Sequence, residues 1–324
     1  MSLDDFITKY EKNWQPTIDF FIPRCLNCGS ADIIRRGKRL LKRGGENLQY
    51  SCKSCRRKFS YPRTIRSHFS DDIIDMILSG LADGLSAKSV SERILREKGI
   101  KITRQTIFNI LEKCIKVLLK YEMAVLPTAK ALKKSEHWLI DDAYMILSQP
   151  KSAFQTVYMG KEYSGFITNV QDGQTGYWLA AVVSYERDVR ASLNALKLAI
   201  ERAGSKPSFL KCDGFKPHIK AAEKLRITVQ FRTKEEDKSF INKIEALHSF
   251  LRRHGLEKRR FKSIKSCQLI ADLVRFHFNW MRLDRDGKPI ANLVSLSCPG
   301  RTWMDLLSFA SSYLRHQGLL DSKL

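Results

Sequence analysis

The stretch His137–Leu147 (HWLIDDAYMIL) determines how the rest of this chain is interpreted. It is an apolar run of strand type that carries two adjacent carboxylates, Asp141 and Asp142. A carboxylate in the middle of a strand inside an α/β sheet is costly unless it is ion-paired, hydrogen-bonded or bound to a metal ion. The stretch therefore indicates a functional site built on a sheet.

Two further acids stand where they could meet the first. Asp213 ends the apolar run Pro207–Asp213 (PSFLKCD), and Glu245 lies in the helical run Phe240–Arg253. Acids from a first strand, a later strand and a final helix can converge on a pair of divalent cations with oxygen ligands. Asp141, Asp213 and Glu245 are therefore the candidate catalytic residues and the candidate ligands of Mg²⁺ or Mn²⁺.

The predicted elements after residue 137 follow the order βββαβαβα, which is typical of a ribonuclease-H-like mixed sheet. In such a sheet the first and fourth strands are neighbours, so Asp141 and Asp213 are expected to approach each other. The predicted elements are strands His137–Leu147, Tyr163–Val170 and Thr175–Ser184, helix Arg187–Ala203, strand Pro207–Asp213, helix Pro217–Leu225, strand Ile227–Arg232 and a helix from Phe240.

The most basic run of the chain, residues 252–265 (RRHGLEKRRFKSIK), follows the third acid directly. On a helical wheel Glu245 shares a face with His248 and Arg252, opposite the apolar face that packs on the sheet. A charged run is usually a solvated face, but this position favours a path for DNA; His248 and Arg252 could instead order Glu245. The candidate DNA contacts here are His248, Arg252, Arg259 and Arg260.

The composition indicates a polyanion binder. The chain has 324 residues, with 57 Lys and Arg against 34 Asp and Glu, a formal charge of +23 and a pI of about 9.8. Such a charge is the electrostatic footprint of nucleic-acid binding, although a merely basic protein remains an alternative. The length favours two or three domains. Without an apolar run near the ~20 residues of a membrane span, a cytoplasmic protein is expected.

Four of the eight cysteines form two C-x-x-C pairs, which predict a zinc ribbon. Each pair directs two thiolates at one ion, and two pairs complete a closed tetrahedral site for a structural Zn²⁺. A redox pair, a chance pairing and an iron–sulfur cluster are the alternatives. The ligands are Cys25, Cys28, Cys52 and Cys55. The basic residues expected to contact DNA phosphates are Arg35, Arg36, Arg56 and Arg57.

Residues 70–122 carry the start and stop signals of three helices. Ser70, Ser86 and Thr103 are the expected N-caps, and Gly84 and Gly99 end the first two helices. Three short helices with this spacing are typical of a helix-turn-helix domain, whose third helix enters the major groove. A three-helix packing unit without DNA contact is the alternative. The candidate groove-facing residues are Arg104, Gln105 and Asn109.

Over nearly its whole length, the chain resembles prokaryotic insertion-sequence transposases of the DDE type. Trp138–Ala143 (WLIDDA) is similar to the W-x-x-D-E-T stretch of that family, Asp213-Gly214 to its D-G pair, and Asn242–His248 (NKIEALH) to its N-x-x-E-x-x-H stretch. Ser184–Asp188 (SYERD) is similar to its S-x-x-R-D. Within the first stretch, Asp142 stands where the family usually has Glu, and Ala143 where it has Thr.

The resemblance implies a multidomain α+β and α/β protein. Its ribonuclease-H-like mixed-sheet catalytic domain would follow the zinc ribbon and the helix-turn-helix domain, and C-terminal helices would complete it. The expected domains are a leader helix at 1–22, the zinc ribbon at 23–69, the helix-turn-helix domain at 70–126, the catalytic core at 135–282 and a C-terminal helical extension at 283–324.

The function that the resemblance implies is binding of the terminal inverted repeats of an insertion sequence, followed by metal-dependent DNA cleavage and strand transfer. Two Mg²⁺ or Mn²⁺ ions would clamp the attacking and leaving oxygens. The implied partners are double-stranded DNA, as terminal repeats and as target, and at least a second copy of the chain in a nucleoid-associated complex. No membrane and no nucleotide cofactor are implied. The rival hypotheses are a recruited or decayed DNA-binding regulator without catalysis, and a nuclease that cuts without joining.

Overall fold

The structure is a computed structural model that describes residues 30, 32–40, 46–61, 69–147, 156–158, 161–231, 238–257, 259–283, 287–294, 296 and 302–319. The leader helix predicted over residues 1–22 lies outside these residues, as do Cys25 and Cys28. The chain divides into two compact units. The first comprises Met1–Ser79, Lys88–Tyr121 and Pro299–Leu324, and the second comprises Gly80–Ala87 and Glu122–Cys298.

The strands and helices are numbered here in chain order. The strands are β1 (Ile33–Leu40), β2 (Glu46–Cys52), β3 (Lys58–Tyr61), β4 (His137–Leu147), β5 (Thr156–Tyr158), β6 (Lys161–Tyr163), β7 (Gly165–Asp172), β8 (Trp178–Ser184), β9 (Phe209–Cys212), β10 (Thr228–Phe231) and β11 (Arg260–Phe261). The helices are α1 (Asp71–Ala82), α2 (Ala87–Lys98), α3 (Arg104–Val125), α4 (Lys130–Lys133), α5 (Val189–Ala203), α6 (Lys216–Lys224), α7 (Lys238–Arg253), α8 (Ile264–Phe276), α9 (Ile290–Leu293) and α10 (Trp303–His316).

The first unit contains an antiparallel sheet, β1-β2-β3, and a group of helices. The predicted helix starts at Asp71, Ala87 and Arg104 are confirmed. The cap of the third is visible, because the N–H of Thr106 donates to Oγ1 of Thr103 at 3.1 Å. The apolar stripes of these helices form the core. Their buried residues include Ile73, Ile77, Val90, Ile94, Ile107 and Leu111.

Helix α10 completes the core of this unit from the far end of the chain. The N–H of Trp303 donates to Oδ1 of Asp75 at 3.0 Å. The Tyr121 ring meets those of Phe309 and Tyr313 edge to face, with centroids 5.8 and 5.5 Å apart. Such contacts add to the burial of the rings themselves, so the C-terminal helix stabilises the packing of α1 and α3.

The second unit is built on a mixed sheet of order β10-β9-β4-β7-β8. Strand β4 is central: it runs antiparallel to β7 and parallel to β9, and its last residues pair with β11. Helices α5 and α8 pack against β8. This strand order and the alternation of strands and helices fit the predicted ribonuclease-H-like core, with Asp141 on the central strand β4, Asp213 directly after β9 and Glu245 on α7.

Several element boundaries of this unit differ from the prediction, and two of the differences have a visible cause. Strand β7 was expected at Tyr163–Val170 but extends to Asp172, because the Asp172 N–H donates to the Tyr177 carbonyl at 2.8 Å. The helix expected at Ser266–Arg282 ends as α8 at Phe276 and continues as a π turn, His277–Met281. The π turn lets the buried Asn279 side chain pair with both backbone groups of Trp178, at 2.9 and 3.0 Å.

A buried ion network stabilises the other side of this sheet's core. The Glu122 carboxylate receives both amino groups of the Arg275 guanidinium, at 2.5 and 2.6 Å, and the Tyr177 hydroxyl at 2.9 Å. Arg202 and Asp272 complete the group. Burial opposes the charge on Glu122, but the two arginines prevail and lower its pKa. In the described part of the chain, no helix is long and apolar enough to cross a membrane.

Candidate functional site

The register of the central strands places Asp141 and Asp213 side by side. Strands β4 and β9 are parallel, and Leu139 pairs with Lys211. Asp141 lies two residues beyond Leu139 on β4, and Asp213 lies two residues beyond Lys211, directly after the end of β9. Neighbouring strands lie about 4.8 Å apart, so the two residues lie close together in the middle of the sheet. The structure therefore brings these two candidate acids together.

Asp141 is partly buried, and its charge is disfavoured there. Its Oδ1 accepts the N–H of Asp142 at 2.8 Å. Burial, followed by the carboxylates of Asp213 and Asp142, raises the pKa of Asp141 to about 6. Two neighbouring carboxylates that repel each other form a set of oxygen ligands that suits a hard divalent cation.

Asp213 is the accessible member of the pair. Its Oδ1 accepts the N–H of Phe215 at 3.0 Å, which makes a local turn directly after β9. Gly214 has φ +84°, a conformation that favours glycine and explains the D-G pair. The other oxygen, Oδ2, lies 3.7 Å from Nη2 of Arg187. The turn thus places the Asp213 carboxylate at the C-terminal end of β9.

Asp142, adjacent to Asp141 in sequence, is deeply buried and ion-paired. Its side chain is 1% exposed and receives the Thr168 hydroxyl and Nε of Arg187, each at 2.6 Å. The guanidinium of Arg187 lies 3.7 Å above the ring of Phe215. A buried carboxylate with this partner and this hydrogen bond is structurally satisfied. The two neighbouring acids therefore have different environments. Asp142 is ion-paired with Arg187, whereas the charged form of Asp141 is disfavoured.

Glu245 lies on the exposed face of α7, as the helical pattern predicts. One turn later, burial lowers the pKa of His248 to about 4, while Asp142 and Glu245 act in the opposite direction. The His248 ring thus lies close enough to the carboxylates of Asp142, on β4, and Glu245, on α7, to interact with both. This places α7 against the acid-bearing part of β4. The buried apolar residues of α7 are Ile244, Leu247, Phe250 and Leu251.

The first half of α7 is fixed to the turn between β7 and β8. Lys243 Nζ donates to the carbonyl oxygens of Gly173 and Gln174, the latter at 3.1 Å. Asp172 organises this turn by accepting the Ser135 hydroxyl and the N–H of Thr175. The helix that carries Glu245 is therefore attached, through Lys243, to the turn between β7 and β8.

Most of the candidate DNA-binding residues are exposed. Gln105 and Asn109 lie on the first turns of α3, where Nε2 of Gln105 donates to Oδ1 of Asn109 at 2.9 Å. Arg56, in the turn before β3, adopts φ 57°. His248, by contrast, is half-buried. The exposed candidates are Arg35, Arg36, Arg56 and Arg57 beside the small sheet, Arg104, Gln105 and Asn109 on α3, and Arg252 and Arg260 in the second unit.

Arg259 requires a correction. Its guanidinium donates to the carbonyl oxygens of Leu81, Gly84 and Leu85, at 2.8, 3.2 and 3.1 Å. Burial lowers its pKa to about 10. Because its donors are used to hold the turn after α1, we assign Arg259 a structural role and remove it from the candidate DNA contacts.

Two of the four predicted zinc ligands lie in the described residues. Cys52 is buried at the end of β2, and Cys55 follows in the turn. The N–H of Cys55 donates to Sγ of Cys52 at 3.4 Å. An amide that donates to sulfur supports the charge of a thiolate, so this pair fits half of a thiolate metal site. Cys25 and Cys28 lie outside the described residues.

Two residues beside the acids were not singled out from the sequence. Arg187 binds Asp142 and faces Asp213, and the S-x-x-R-D similarity at Ser184–Asp188 was the signal that contained it. His218 is fully buried on α6, where Nδ1 lies 2.9 Å from the Ser192 hydroxyl and Nε2 lies 3.4 Å from Asp142. A lone histidine in a short helix carries no pattern that would have identified it.

No family model and no curated protein matches this sequence. Among solved structures, the catalytic core domain of BIV integrase is 13% identical, with a TM-score of 0.35 over 50% of this chain and 94% of that one. A pre-cleavage Mos1 transpososome is 11% identical, with a TM-score of 0.31 over 80% of each chain. A piggyBac transposase synaptic complex with hairpin DNA is 10% identical, with a TM-score of 0.36 over 81% of this chain and 75% of that one. Likeness at this level, by itself, assigns neither fold nor activity to the chain.

Proposed function

We propose that this protein is a DDE transposase of a prokaryotic insertion sequence, which cleaves DNA at the ends of the element and transfers the strands to a target. The observation that carries the proposal is the closeness of Asp141, on β4, to Asp213, directly after β9, because these two strands are parallel neighbours in the mixed sheet. Burial and the nearby carboxylates of Asp213 and Asp142 raise the pKa of Asp141 to about 6, which supports a site for cations. Glu245, on the exposed face of α7, is the third acid of the set.

Asp141, Asp213 and Glu245 would hold two Mg²⁺ or Mn²⁺ ions. Bound there, such ions would supply an activated nucleophile and stabilise the attacking and leaving oxygens of an in-line displacement. The chain's own residues orient this site. Arg187 neutralises Asp142, which leaves the strand with one acid available, and its Nη2 faces Asp213. Asp141 is held by the central strand β4 and Asp213 by the turn after β9, so two of the three acids need little reorganisation.

The DNA would be held by the basic exposed surfaces of both units. Arg104, Gln105 and Asn109 at the start of α3 have the donors and acceptors that read base edges in the major groove. The arginines beside the small sheet would contact phosphates, which fits the net charge of +23. A structural Zn²⁺ would be held by Cys25, Cys28, Cys52 and Cys55. Joining two ends of one element would require at least a dimer on the DNA.

The test is a reaction of the purified protein with a labelled duplex that carries the element's own end, in Mg²⁺ and in Mn²⁺. The proposal requires a cut that frees a 3′-OH and, with target DNA present, joined products. Cut products without joining would instead support a nuclease. Binding with neither reaction in either metal would support a recruited or decayed DNA-binding regulator.

A further inference from the structure

A second group of metal-ligating side chains shares no residue with the three acids. Asp83 lies in the turn after α1, His254 directly follows α7, and His277 opens the π turn after α8. One ligand atom from each lies within 4.8 Å of the other two. All three residues belong to the second unit. His254 lies roughly 13 Å along α7 from Glu245, so this is a different place on the helix.

We propose that Asp83, His254 and His277 bind a divalent transition-metal ion of the Zn²⁺ or Ni²⁺ class. Two imidazoles and one carboxylate would leave the remaining coordination positions to water. The ion would hold the turn at Asp83 against the end of α7. This site goes beyond DNA cleavage, and it differs from the cysteine site in its ligands.

The hydrogen bond of His254 prepares its ring for a metal. Nδ1 of His254 lies 2.5 Å from the Ala82 carbonyl oxygen, and a carbonyl can only accept. Nδ1 therefore carries the hydrogen, and in the neutral ring Nε2 carries the lone pair. A metal-binding histidine typically donates its other nitrogen to a backbone carbonyl or carboxylate in this way, which fixes its tautomer and orientation.

The buried Phe250 ring holds both histidines in place. Its centroid lies 4.0 Å from that of His254 and 5.6 Å from that of His277. The two imidazoles are 4.9 Å apart and nearly perpendicular, at 88°. Rings that are already packed lose little freedom when they bind an ion, so the site is largely pre-organised.

The ligand types at this site favour an ion that takes nitrogen ligands. Arg253 and Arg259 oppose positive charge near His254, whereas Asp83 favours it. With one carboxylate and two imidazoles, Zn²⁺ and Ni²⁺ are better suited than Mg²⁺ or Ca²⁺.

The distances between the three ligand atoms must shorten when an ion binds. Ligands about 2.1 Å from a tetrahedral ion stand about 3.4 Å from one another, so separations of up to 4.8 Å must shorten by up to about 1.4 Å. Asp83 is exposed and can rotate, whereas the two rings are packed. Binding is therefore expected to move the carboxylate toward the histidines.

The ion would complete the attachment of α7. Lys243 fixes the first half of this helix to the turn at Gly173 and Gln174. At the opposite end, the contact of His254 with Ala82 would be reinforced by coordination. A Zn²⁺ or Ni²⁺ ion would thus stabilise the position of the helix that carries Glu245. The carboxylate site that includes Glu245 suits Mg²⁺ or Mn²⁺ instead.

The test is a calorimetric titration of Ni²⁺ into the full-length protein and three variants, Asp83→Asn, His277→Gln and Glu201→Gln. Glu201 is an exposed carboxylate of the same unit and serves as the matched control. The wild type and Glu201→Gln are expected to bind one Ni²⁺ ion more than the other two, or to bind it at least about tenfold more tightly. The cysteine site is identical in all four proteins and cancels from the comparison.

Equal stoichiometry and affinity in all four proteins would overturn the proposal. Because Asp83 is exposed, Asp83→Asn leaves the fold intact and decides the question even if His277→Gln does not fold. Ni²⁺ should also raise the Tm of the wild type more than that of Asp83→Asn, since the ion binds the folded state. None of these readouts depends on DNA cleavage, so failure here is distinguishable from failure of the proposed function.

Discussion

The Nε atom of Arg187 lies 2.6 Å from Oδ2 of Asp142, a carboxylate that is almost completely buried beside the first candidate catalytic acid. The same guanidinium reaches toward Asp213, with Nη2 3.7 Å from Oδ2. A buried carboxylate without a counter-charge is strongly destabilising. Arg187 thus allows two adjacent acids to occupy one strand, with Asp142 ion-paired and Asp141 left without this counter-charge.

Replacement of Arg187 by Met should therefore lower the free energy of unfolding by about 3–5 kcal/mol, because it leaves the Asp142 charge buried without its cation. Urea unfolding at neutral pH measures this. The double variant Arg187→Met/Asp142→Asn should recover most of the loss, since the unpaired charge is gone. Equal losses in the single and the double variant would show that Arg187 stabilises the fold in some other way.

The raised pKa of Asp141 predicts how stability depends on pH. The folded state holds this proton more tightly than the unfolded state, so stability is lost as the pH rises from about 3.8 to about 6. Above pH 6, without added divalent cation, Asp141→Asn should stabilise the fold by about 1–2 kcal/mol, less than the full shift because the side chain is partly exposed. Urea unfolding of both proteins at pH 7.5 and pH 4 checks this; a variant less stable than wild type at pH 7.5 would contradict it.

The buried carboxylate of Glu122 should contribute strongly to stability. Glu122→Gln removes the closer counter-charge and leaves Arg275 and Arg202 to share the more distant carboxylate of Asp272, so it should cost about 3–5 kcal/mol. Because the pKa of Glu122 is lowered, its contribution is present above the usual value near 4.5 and is lost as the pH falls below it. Acid and urea unfolding measure both effects.

A matched control for this prediction lies on the same helix. Glu112 forms an ion pair with Lys116 at 2.9 Å near the surface. Glu112→Gln should change the free energy of unfolding by less than about 0.5 kcal/mol. Similar losses in Glu112→Gln and Glu122→Gln would mean that burial of the network is not the cause.

The exposed residues at the start of α3 should read the sequence of the element's end. Arg104→Ala and Asn109→Ala should each weaken binding to that sequence by about 1–3 kcal/mol and change binding to unrelated DNA little. Lys116→Ala, on the same helix, should have a much smaller effect. Fluorescence anisotropy at one fixed salt concentration compares the two DNAs. An equal loss on both would indicate phosphate contacts in place of base recognition.

Much of the fold could be predicted from local patterns. The caps at Ser70, Ser86 and Thr103 and the glycines after the first two helices located α1 to α3 because helix ends depend on nearby residues. The alternation of apolar segments after His137 likewise predicted the order of the mixed sheet. The pairing of Asp141 with Asp213 followed from that order, since a strand order fixes which residues become neighbours.

The remaining features depend on contacts between distant segments, which no local pattern records. The hydrogen bond between Trp303 and Asp75 and the coordination group at Asp83 join residues that are far apart in sequence. The different environments of Asp141 and Asp142 could not be predicted either, because both are acids in one apolar run. Arg259 was misassigned for the same reason, because its carbonyl partners lie on another segment.

The central claim is that Asp141, Asp213 and Glu245 form one catalytic site for DNA cleavage and joining. The most direct measurement compares wild type, Asp213→Ala and Glu223→Gln on a labelled duplex with the element's own end, in Mg²⁺, while DNA binding is recorded in parallel. Glu223 is an exposed acid of the same unit and is the matched control. The account predicts cleavage and joining by wild type and Glu223→Gln, and loss of both in Asp213→Ala with binding retained. Undiminished cleavage by Asp213→Ala would contradict it.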